Sequence, residues 1–280
     1  MTLFQAIILA IVQGITEPFP VSSLGHAVLL PGILHWNLDE HSEMFLPFLT
    51  MLHVGTLVAL AGVFWRDWMA ILRGMLGLHG RYNQLESIRV FGLLVIATIP
   101  AVIFGGLFEH SLRSIFGAPL AVAGFLVLNG LLLLVTEWLR RQRGQADHRP
   151  ISSLSPKDAL IIGFWQCLAL FPGLSRSGAT MNGGLLRGLD HGTAARFSLL
   201  MAQPVVLAAT VKEGWQMRHM TIAHDVMFQC VVGAIAAGIT ALICSLLMLR
   251  FFRNHDEWAL KPFGIYCIAA GLLAGVLIVL

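Results

Sequence analysis

The chain has 280 residues, of which 57% are hydrophobic and 12% are charged, and its formal net charge is +3. A soluble domain carries about 25% charged residues, so the composition excludes a soluble globular protein. We therefore expect a membrane protein that is surrounded by lipids and has no nucleic-acid partner.

The first apolar segment, residues 3–12, is too short to cross a bilayer, which requires about 20 residues. The polar stretch EPFPVSSLGH (17–26) follows it. No basic residue precedes the segment and no small-x-small site closes it, so it is not a cleavable signal peptide. We expect a re-entrant hairpin over about 3–34, with 27–34 as its returning limb. Non-helical backbone at such depth requires burial by protein or a wet cavity.

Three apolar runs of span length come next, and a polar linker separates them from the second half of the chain. The runs are 46–65, 90–108 and 118–138, and the linker is LRRQRGQADHRPISSLSPK (139–157). We predict that 1–138 forms one structural repeat and that the linker is a solvated cytoplasmic loop.

The second half, 158–280, follows the same order. A short apolar segment, 159–171, runs into the polar stretch FPGLSRSGAT (171–180) and returns through 178–189. This pattern predicts a second re-entrant hairpin over about 159–189. Three further runs have span length: 194–211, 226–249 and 262–280.

The two polar stretches also match each other in sequence. When the two stretches are aligned together with the residues just before them, Gln13 pairs with Gln166 and Gly25 with Gly178. Because three spans separate the hairpins, the second repeat is inverted relative to the first, and the hairpin tips can meet near the midplane. Interrupted segments at such positions usually mark a binding site. The sequence predicts an all-α polytopic membrane protein: one transmembrane domain over 1–280, with six transmembrane helices, two re-entrant hairpins and an inverted internal repeat.

Arginine and lysine concentrate in alternate loops, which include 66–89, 139–157 and 250–261. The positive-inside rule assigns these loops to the cytoplasm. Six crossings then place both termini outside. The first hairpin is expected to enter from the outside and the second from the cytoplasm.

Arg176 is the most informative polar residue at predicted membrane depth. A guanidinium there costs about 2.5 to 3.5 kcal/mol on insertion scales, so it needs a partner or a wet cavity. Ser175, Ser177 and Thr180 surround it, and hydroxyls with free N–H groups at a helix start form an anion site. The arginine fork suits phosphate bidentately. The alternative is that Arg176 pairs with a carboxylate for purely structural reasons.

Glu17 is the only acidic residue among the short segments and their breaks. It would repel a phosphate unless a cation lay between them, which favours Mg²⁺ or Ca²⁺, both of which take oxygen ligands. Gln13 lies one helical turn earlier and can offer its carbonyl oxygen on the same face. The alternative here is an ion pair between Glu17 and Arg176 across the two hairpins.

Ser23 and His26 are three residues apart at the start of the returning limb, so their side chains can share one face. A serine beside a histidine is a minimal activated nucleophile, and histidine can also attack phosphorus directly. Ser22 or Ser23 could instead cap the helix. With Glu17 and Arg176, the set indicates phosphoryl transfer, which depends on positioning and charge neutralisation. His53, also at depth, is interpreted as a packed or supporting residue.

These residues resemble the undecaprenyl-diphosphate phosphatases of the bacitracin-resistance family, bacterial inner-membrane enzymes that recycle the lipid carrier for cell-wall synthesis. Gln13 and Glu17 match the family's first motif, a Glu or Gln four residues before a Glu. Residues 20–26 match its Pro-Val-Ser-Ser-x-Gly-His element, and 172–180 match its Pro-Gly-x-Ser-Arg-Ser-Gly-Ala-Thr element in full. The likeness runs from residue 4 to near the C-terminus.

The resemblance implies hydrolysis of a polyprenyl diphosphate lipid, undecaprenyl diphosphate, to the monophosphate and phosphate with the aid of a divalent cation. It places the site open to the periplasmic, outer face of the bacterial inner membrane. Glu17 and Gln13 are then metal ligands, and Ser23, His26, Glu17 and Arg176 are catalytic. The residues expected to bind the diphosphate come from both breaks: Ser22, Gly25, Gly173, Ser175, Arg176, Ser177, Gly178 and Thr180. Many members have Glu in place of Gln13, and the family pattern would place Gln at His53.

A flippase or transporter for a polyprenyl phosphate is the rival function, because inverted repeats with broken helices are transporter architecture. It would need the anion site but no nucleophile. The other large class of lipid phosphatases needs a histidine where this chain has Asn182, and that alternative fails. The residues leave open whether Ser23 or His26 is the nucleophile, and whether the protein is a homodimer.

Overall fold

A computed structural model describes residues 1–36, 45–78, 81–116, 118–142, 149–218 and 224–280. Within these ranges the chain forms α-helices, two short 3₁₀ turns (Ile151–Ser153 and Leu168–Leu170) and no strand. The helices are α1 Leu3–Thr16, α2 Ser23–Ile33, α3 Phe45–Val63, α4 Trp65–Met75, α5 Arg81–Phe116, α6 Pro119–Gln142, α7 Pro156–Cys167, α8 Arg176–Leu186, α9 His191–Met217, α10 His224–Asn254 and α11 Lys261–Val279.

Five of the described helices are long and apolar enough to cross a membrane: α6, α9, α10, α11 and the part of α5 from Gln84 to Phe108. A sixth crossing is counted if Pro47–Val63 of α3 is taken together with Trp65–Met75, to which it is joined by a 65° bend. Each of the six predicted apolar runs coincides with one of these helices. The prediction of an all-helical polytopic membrane protein is confirmed.

The sequence interpretation missed α4, which it treated as part of a loop. This helix carries Trp65, Trp68 and Ile71 among charged residues such as Arg66 and Asp67. Because charged residues interrupt the apolar ones, the segment has no continuous apolar run. This pattern is typical of an amphipathic helix with one apolar and one polar face. Of the predicted linker 139–157, residues 143–148 lie outside the described ranges. Its first residues belong to α6, and its last two belong to α7.

Besides α4, four helices in the described ranges are too short to cross a bilayer: α1 has 14 residues, α2 has 11, α7 has 12 and α8 has 11. At about 1.5 Å per residue they extend roughly 16 to 21 Å, whereas the hydrocarbon core is about 30 Å thick. They occupy the two segments from which hairpins are predicted. Entry of these hairpins from opposite faces stays a prediction.

The second helix of each short pair begins in the same way. Ser22 caps α2 by accepting a hydrogen bond from the Gly25 N–H (3.2 Å), and Ser175 caps α8 by accepting one from the Gly178 N–H (3.1 Å). The capping alternative for Ser22 is therefore confirmed. Both short pairs also pack on a long helix, α1 on α10 and α7 on α5. These correspondences are what an internal repeat predicts.

One cluster of buried charges joins α6, the start of α9 and the turn between α10 and α11. The His191 imidazole lies between Glu137 Oε1 (2.8 Å) and Asp256 Oδ1 (2.9 Å). Arg140 donates to Asp256 Oδ2 (2.7 Å), and the Leu260 N–H donates to Glu137 Oε1 (2.6 Å). Burial acts to raise the pKa of Asp256, but hydrogen bonds from His191 and Arg140 outweigh it and lower that pKa. The cluster stabilises this end of the bundle.

Candidate active site

The two breaks between the short helices meet in the interior of the bundle. A Cβ built on Gly25 would lie 3.0 Å from the Gly173 Cα, so backbone lies directly against backbone at this point. Gly173 has φ = +103°, a conformation that side chains with a Cβ rarely adopt. Ser177 Oγ of the second break donates to the Phe19 carbonyl of the first (2.7 Å). The predicted meeting of the tips is confirmed.

Asn129 of α6 links the two breaks, and the sequence interpretation missed it. Its amide nitrogen donates to the Pro20 carbonyl (3.0 Å), and its amide oxygen accepts from the Ser175 N–H (3.0 Å). The side chain is 2% exposed. Buried backbone groups outside helices need such partners. A single amide within the apolar run VAGFLVLNGLLLLV was the available signal.

Glu17 and Arg176 form an ion pair at the junction of the two breaks. Arg176 Nη2 donates to Glu17 Oε1 at 2.6 Å, and the side chains are 15% and 7% exposed. The prediction that these two charges come together is confirmed. The other terminal nitrogen, Arg176 Nη1, is buried and has no partner among the described residues. A purely structural ion pair leaves this donor unexplained, because an unpaired buried N–H is costly.

The second oxygen of Glu17 is surrounded by donors. Ser23 Oγ donates to Glu17 Oε2 at 2.7 Å, and Gln13 Nε2 donates to the same oxygen at 3.2 Å. His53 Nε2 lies 4.0 Å from it, while His53 Nδ1 donates to the Leu49 carbonyl (2.9 Å). His53 of α3 therefore lies beside the carboxylate without a hydrogen bond to it. Ser23 is placed beside a proton acceptor, as an activated nucleophile requires.

His26 does not contact Ser23, although the spacing predicted a shared face. Its Nδ1 lies 2.7 Å from the Ser22 carbonyl, and its Nε2 lies 2.7 Å from the Tyr266 hydroxyl on α11. The carbonyl of its own helix turns the imidazole away from Glu17 and toward α11. Among the described residues, the side-chain partner of the Ser23 hydroxyl is therefore Glu17, and the side-chain partner of His26 is Tyr266.

Most hydroxyls assigned to phosphate binding are used inside the protein. Ser175 Oγ lies 3.0 Å from Ser177 Oγ, and Thr180 Oγ1 lies 2.6 Å from Ser198 Oγ. Ser175, Ser177 and Thr180 are each at most 2% exposed. They hold α8 in place, whereas Arg176 is partly accessible. Gly25 and Gly173 allow close contact with backbone atoms, and Gly178 lies against the side chains of Ser175 and Asn129.

Ser23 and Arg176 are the first residues of α2 and α8, and both contact Glu17. Two helix N-termini therefore point into one site. Each N-terminus carries unpaired N–H groups and a partial positive charge, which favour an anion. The guanidinium adds a full positive charge to this pair.

A divalent cation at this position would find two oxygen donors, the Glu17 carboxylate and the Ser23 hydroxyl, and the Gln13 amide would add its oxygen after turning over, since its nitrogen now faces Glu17. The described residues contain no group of three His, Cys, Asp or Glu side chains able to hold a metal. Mg²⁺ is commonly held by one or two carboxylates together with substrate phosphates. The donor set fits such a cation if the substrate supplies the remaining ligands.

Comparison with known proteins places these residues in context. The family described as "Bacitracin resistance protein BacA" matches residues 6–273. The chain is 79% identical, over the whole of both chains, to the undecaprenyl-diphosphatase of Gluconobacter oxydans. It is 55% identical to that of Gluconacetobacter diazotrophicus (98% of this chain and 96% of the relative) and 51% identical to that of Granulibacter bethesdensis (97% and 95%).

Proposed function

The chain belongs to the bacitracin resistance protein BacA family, and from this premise we propose that it is an undecaprenyl-diphosphatase. It hydrolyses undecaprenyl diphosphate, a polyprenyl diphosphate lipid, to undecaprenyl phosphate and inorganic phosphate. Identity of 79% over the full length of a protein with that name supports the activity. The structural observation that carries the proposal is the contact of Arg176 and Ser23 with one carboxylate, Glu17.

Arg176 and the two helix N-termini bind the terminal phosphate. The unpartnered Nη1 of Arg176 is available to a phosphate oxygen while Nη2 stays on Glu17. The guanidinium then lies between the carboxylate and the phosphate and separates two negative charges. Fixed donors of this kind stabilise charge in the transition state, which is usually the largest contribution to catalysis.

Ser23 is the nucleophile in this proposal, and Glu17 accepts its proton. The Ser23 oxygen attacks the terminal phosphorus, its proton passes to Glu17 Oε2, and the bond to the bridging oxygen breaks to release undecaprenyl phosphate. Water then hydrolyses the phosphoserine. The 2.7 Å contact between Ser23 Oγ and Glu17 supports this order. His26 contacts Ser22 and Tyr266 rather than Ser23, so it is not assigned as the nucleophile. It is assigned a role in proton transfer.

Purified protein should release inorganic phosphate from undecaprenyl diphosphate, and Ser23→Ala should abolish this release. A matched control is Ser245→Ala on α10, because Ser245 Oγ is buried, has no hydrogen-bond partner in the part of the chain that the structure describes, and lies outside the site. A phosphoenzyme trapped during turnover should be stable to acid, as phosphoserine is. An acid-labile phosphoenzyme would assign the nucleophile to His26 instead.

The rival flippase needs no nucleophile. If Ser23→Ala protein reconstituted in vesicles moved undecaprenyl phosphate between leaflets but wild type released no phosphate, the flippase would replace the proposed function. The Arg176–Glu17–Ser23 arrangement favours the phosphatase, since anion binding alone has no use for an activated hydroxyl.

We further propose that a divalent cation takes part, held by Glu17 and Gln13 with Ser23 nearby. When bound, it would neutralise charge on the diphosphate. Chelation should stop phosphate release, and added Mg²⁺ or Ca²⁺ should restore it. Gln13→Glu supplies a second carboxylate, so it should lower the Mg²⁺ concentration needed for half-maximal activity and increase thermal stabilisation by Mg²⁺.

Gln229→Glu, on α10, is the control for this change, because Gln229 contacts only the Met1 carbonyl among the described residues. Its Mg²⁺ dependence should equal that of wild type. Full activity in excess chelator would remove the cation from the proposal, and Arg176 would then be the sole cation at the phosphate.

We propose a bacterial inner-membrane location, and the arginine and lysine residues of loops 66–89, 139–157 and 250–261 support a cytoplasmic position for these loops. The site would then open to the periplasmic face, with both termini outside. Cysteines introduced at the two termini should react with a membrane-impermeant maleimide in intact cells lacking an outer-membrane barrier. A homodimer remains a prediction that nothing in the fold tests.

A further inference from the structure

Tyr266 of α11 contacts His26 in two ways. Its hydroxyl lies 2.7 Å from His26 Nε2, and its ring lies parallel to the imidazole, with centroids 5.7 Å apart and planes 3° apart. The residues are 240 positions apart in sequence. The Tyr266 side chain is 47% exposed, so packing alone does not fix the position of its hydroxyl group.

The two partners of His26 define which nitrogen carries the proton. The Ser22 carbonyl can only accept a hydrogen bond, so His26 Nδ1, at 2.7 Å from it, is the protonated nitrogen. In the neutral ring, Nε2 then presents its lone pair, and the Tyr266 hydroxyl can donate to it. The Nδ1–H tautomer is the less common form of free histidine, so these two contacts select it.

The backbone of Ser22 is itself constrained. It has φ = +64°, which is rare for a residue with a side chain. This conformation directs the Ser22 carbonyl toward the imidazole while its hydroxyl caps α2. Strain of this kind persists where the surroundings enforce it, and it is commonly found at functional sites.

We propose that Tyr266 is a positioning residue for the hydrolysis: its hydroxyl and ring hold the His26 imidazole in the tautomer and orientation that proton transfer requires. The inference rests on the proposed function, because it assigns His26 to that reaction. The proposed catalytic residues Glu17, Ser23 and Arg176 lie at the two breaks, whereas Tyr266 comes from the last helix. The active site therefore extends to α11.

Tyr266→Phe keeps the ring and removes the hydroxyl. We expect its kcat to fall about tenfold, the effect of losing one hydrogen bond of ordinary strength, and its KM to stay close to wild type. Tyr266→Leu, which also lacks the ring, should lose more. Ile265→Ala is the matched control, since Ile265 is the adjacent residue of α11 and is 52% exposed. It should have wild-type kcat and KM.

A double-mutant cycle tests whether Tyr266 acts through His26. In a His26→Ala background, Tyr266→Phe should cause no further loss of kcat, because residues that act as a unit are not additive. If Tyr266→Phe lowers kcat to the same extent with and without His26, the positioning role is overturned.

Histidine ¹⁵N NMR of the detergent-solubilised protein gives a readout that does not depend on turnover. The signal absent from His26→Ala identifies His26, which should show Nδ1 protonated in wild type and Ile265→Ala and a mixture of tautomers in Tyr266→Phe. An unchanged tautomer together with wild-type kcat in Tyr266→Phe would refute the inference while leaving the phosphatase intact. Absence of phosphate release by wild type would instead refute the proposed function.

Discussion

Arg176→Lys is expected to reduce phosphate release at least about 100-fold, the scale on which loss of one preorganised donor acts. Lysine keeps the positive charge but lacks the planar fork. It can satisfy Glu17 or the phosphate oxygen, whereas Arg176 offers Nη2 to Glu17 and Nη1 to the ligand. The measurement is kcat for release of inorganic phosphate from undecaprenyl diphosphate by purified protein.

Arg187→Lys provides the control on the same hairpin. Arg187 lies just beyond α8 and donates to Asp158 Oδ1 (2.5 Å) at the far end of α7, and its side chain is 42% exposed. Lysine keeps the positive charge beside Asp158, whose side chain is 8% exposed, and the pair lies outside the site, so activity should be close to wild type. Phosphate release by Arg176→Lys at the wild-type rate would show that the guanidinium does not contact the reacting phosphate.

Gly173→Ala is expected to prevent assembly of the site. A Cβ at this position would lie 2.4 Å from the Val122 carbonyl oxygen and 2.8 Å from the Phe125 Cβ of α6, both of which are fixed. The positive φ adds further strain. Together these effects should destabilise the protein by at least about 2 kcal/mol, and phosphate release should be lost. The measurements are the thermal midpoint and the monodisperse yield in detergent, together with kcat.

Gly32→Ala is the matched substitution in the other hairpin, where a Cβ would meet nothing within 4 Å. Alanine is favoured over glycine inside a helix by about 1 kcal/mol, so the thermal midpoint should stay the same or rise. If Gly173→Ala protein kept both the wild-type midpoint and wild-type activity, the second break would not pack against α6 as described.

The sequence allowed the helices to be predicted where length and hydropathy define them. Each apolar run of span length is helical, and the segments too short to cross are short helices separated by polar breaks. α4 could not be predicted in this way. Its charged residues interrupt the apolar run, so its amphipathic pattern was not recognised, and a 65° bend after Val63 separates it from α3.

The site was predictable to the extent that the internal repeat required the breaks to meet. That reasoning correctly brought Glu17 and Arg176 together. It could not give the partners of individual side chains, because hydrogen-bond partners depend on ring and rotamer orientation. The predicted pairing of Ser23 with His26 is therefore absent from the structure. The contacts of Asn129 and Tyr266 were not predicted at all. Those contacts join residues 46 to 240 positions apart and leave no spacing pattern.

The ion pair between Glu17 and Arg176 joins residues 159 positions apart, one in each half of the chain. During translation the N-terminal half emerges first, so the carboxylate exists before its counter-charge. A lone charge at membrane depth is costly, and the nascent first half must keep Glu17 hydrated or protonated until α8 has been made. The first break can therefore reach its charge-paired arrangement only after residue 176 has been synthesised, and a chain that ends before Arg176 leaves Glu17 without this counter-charge.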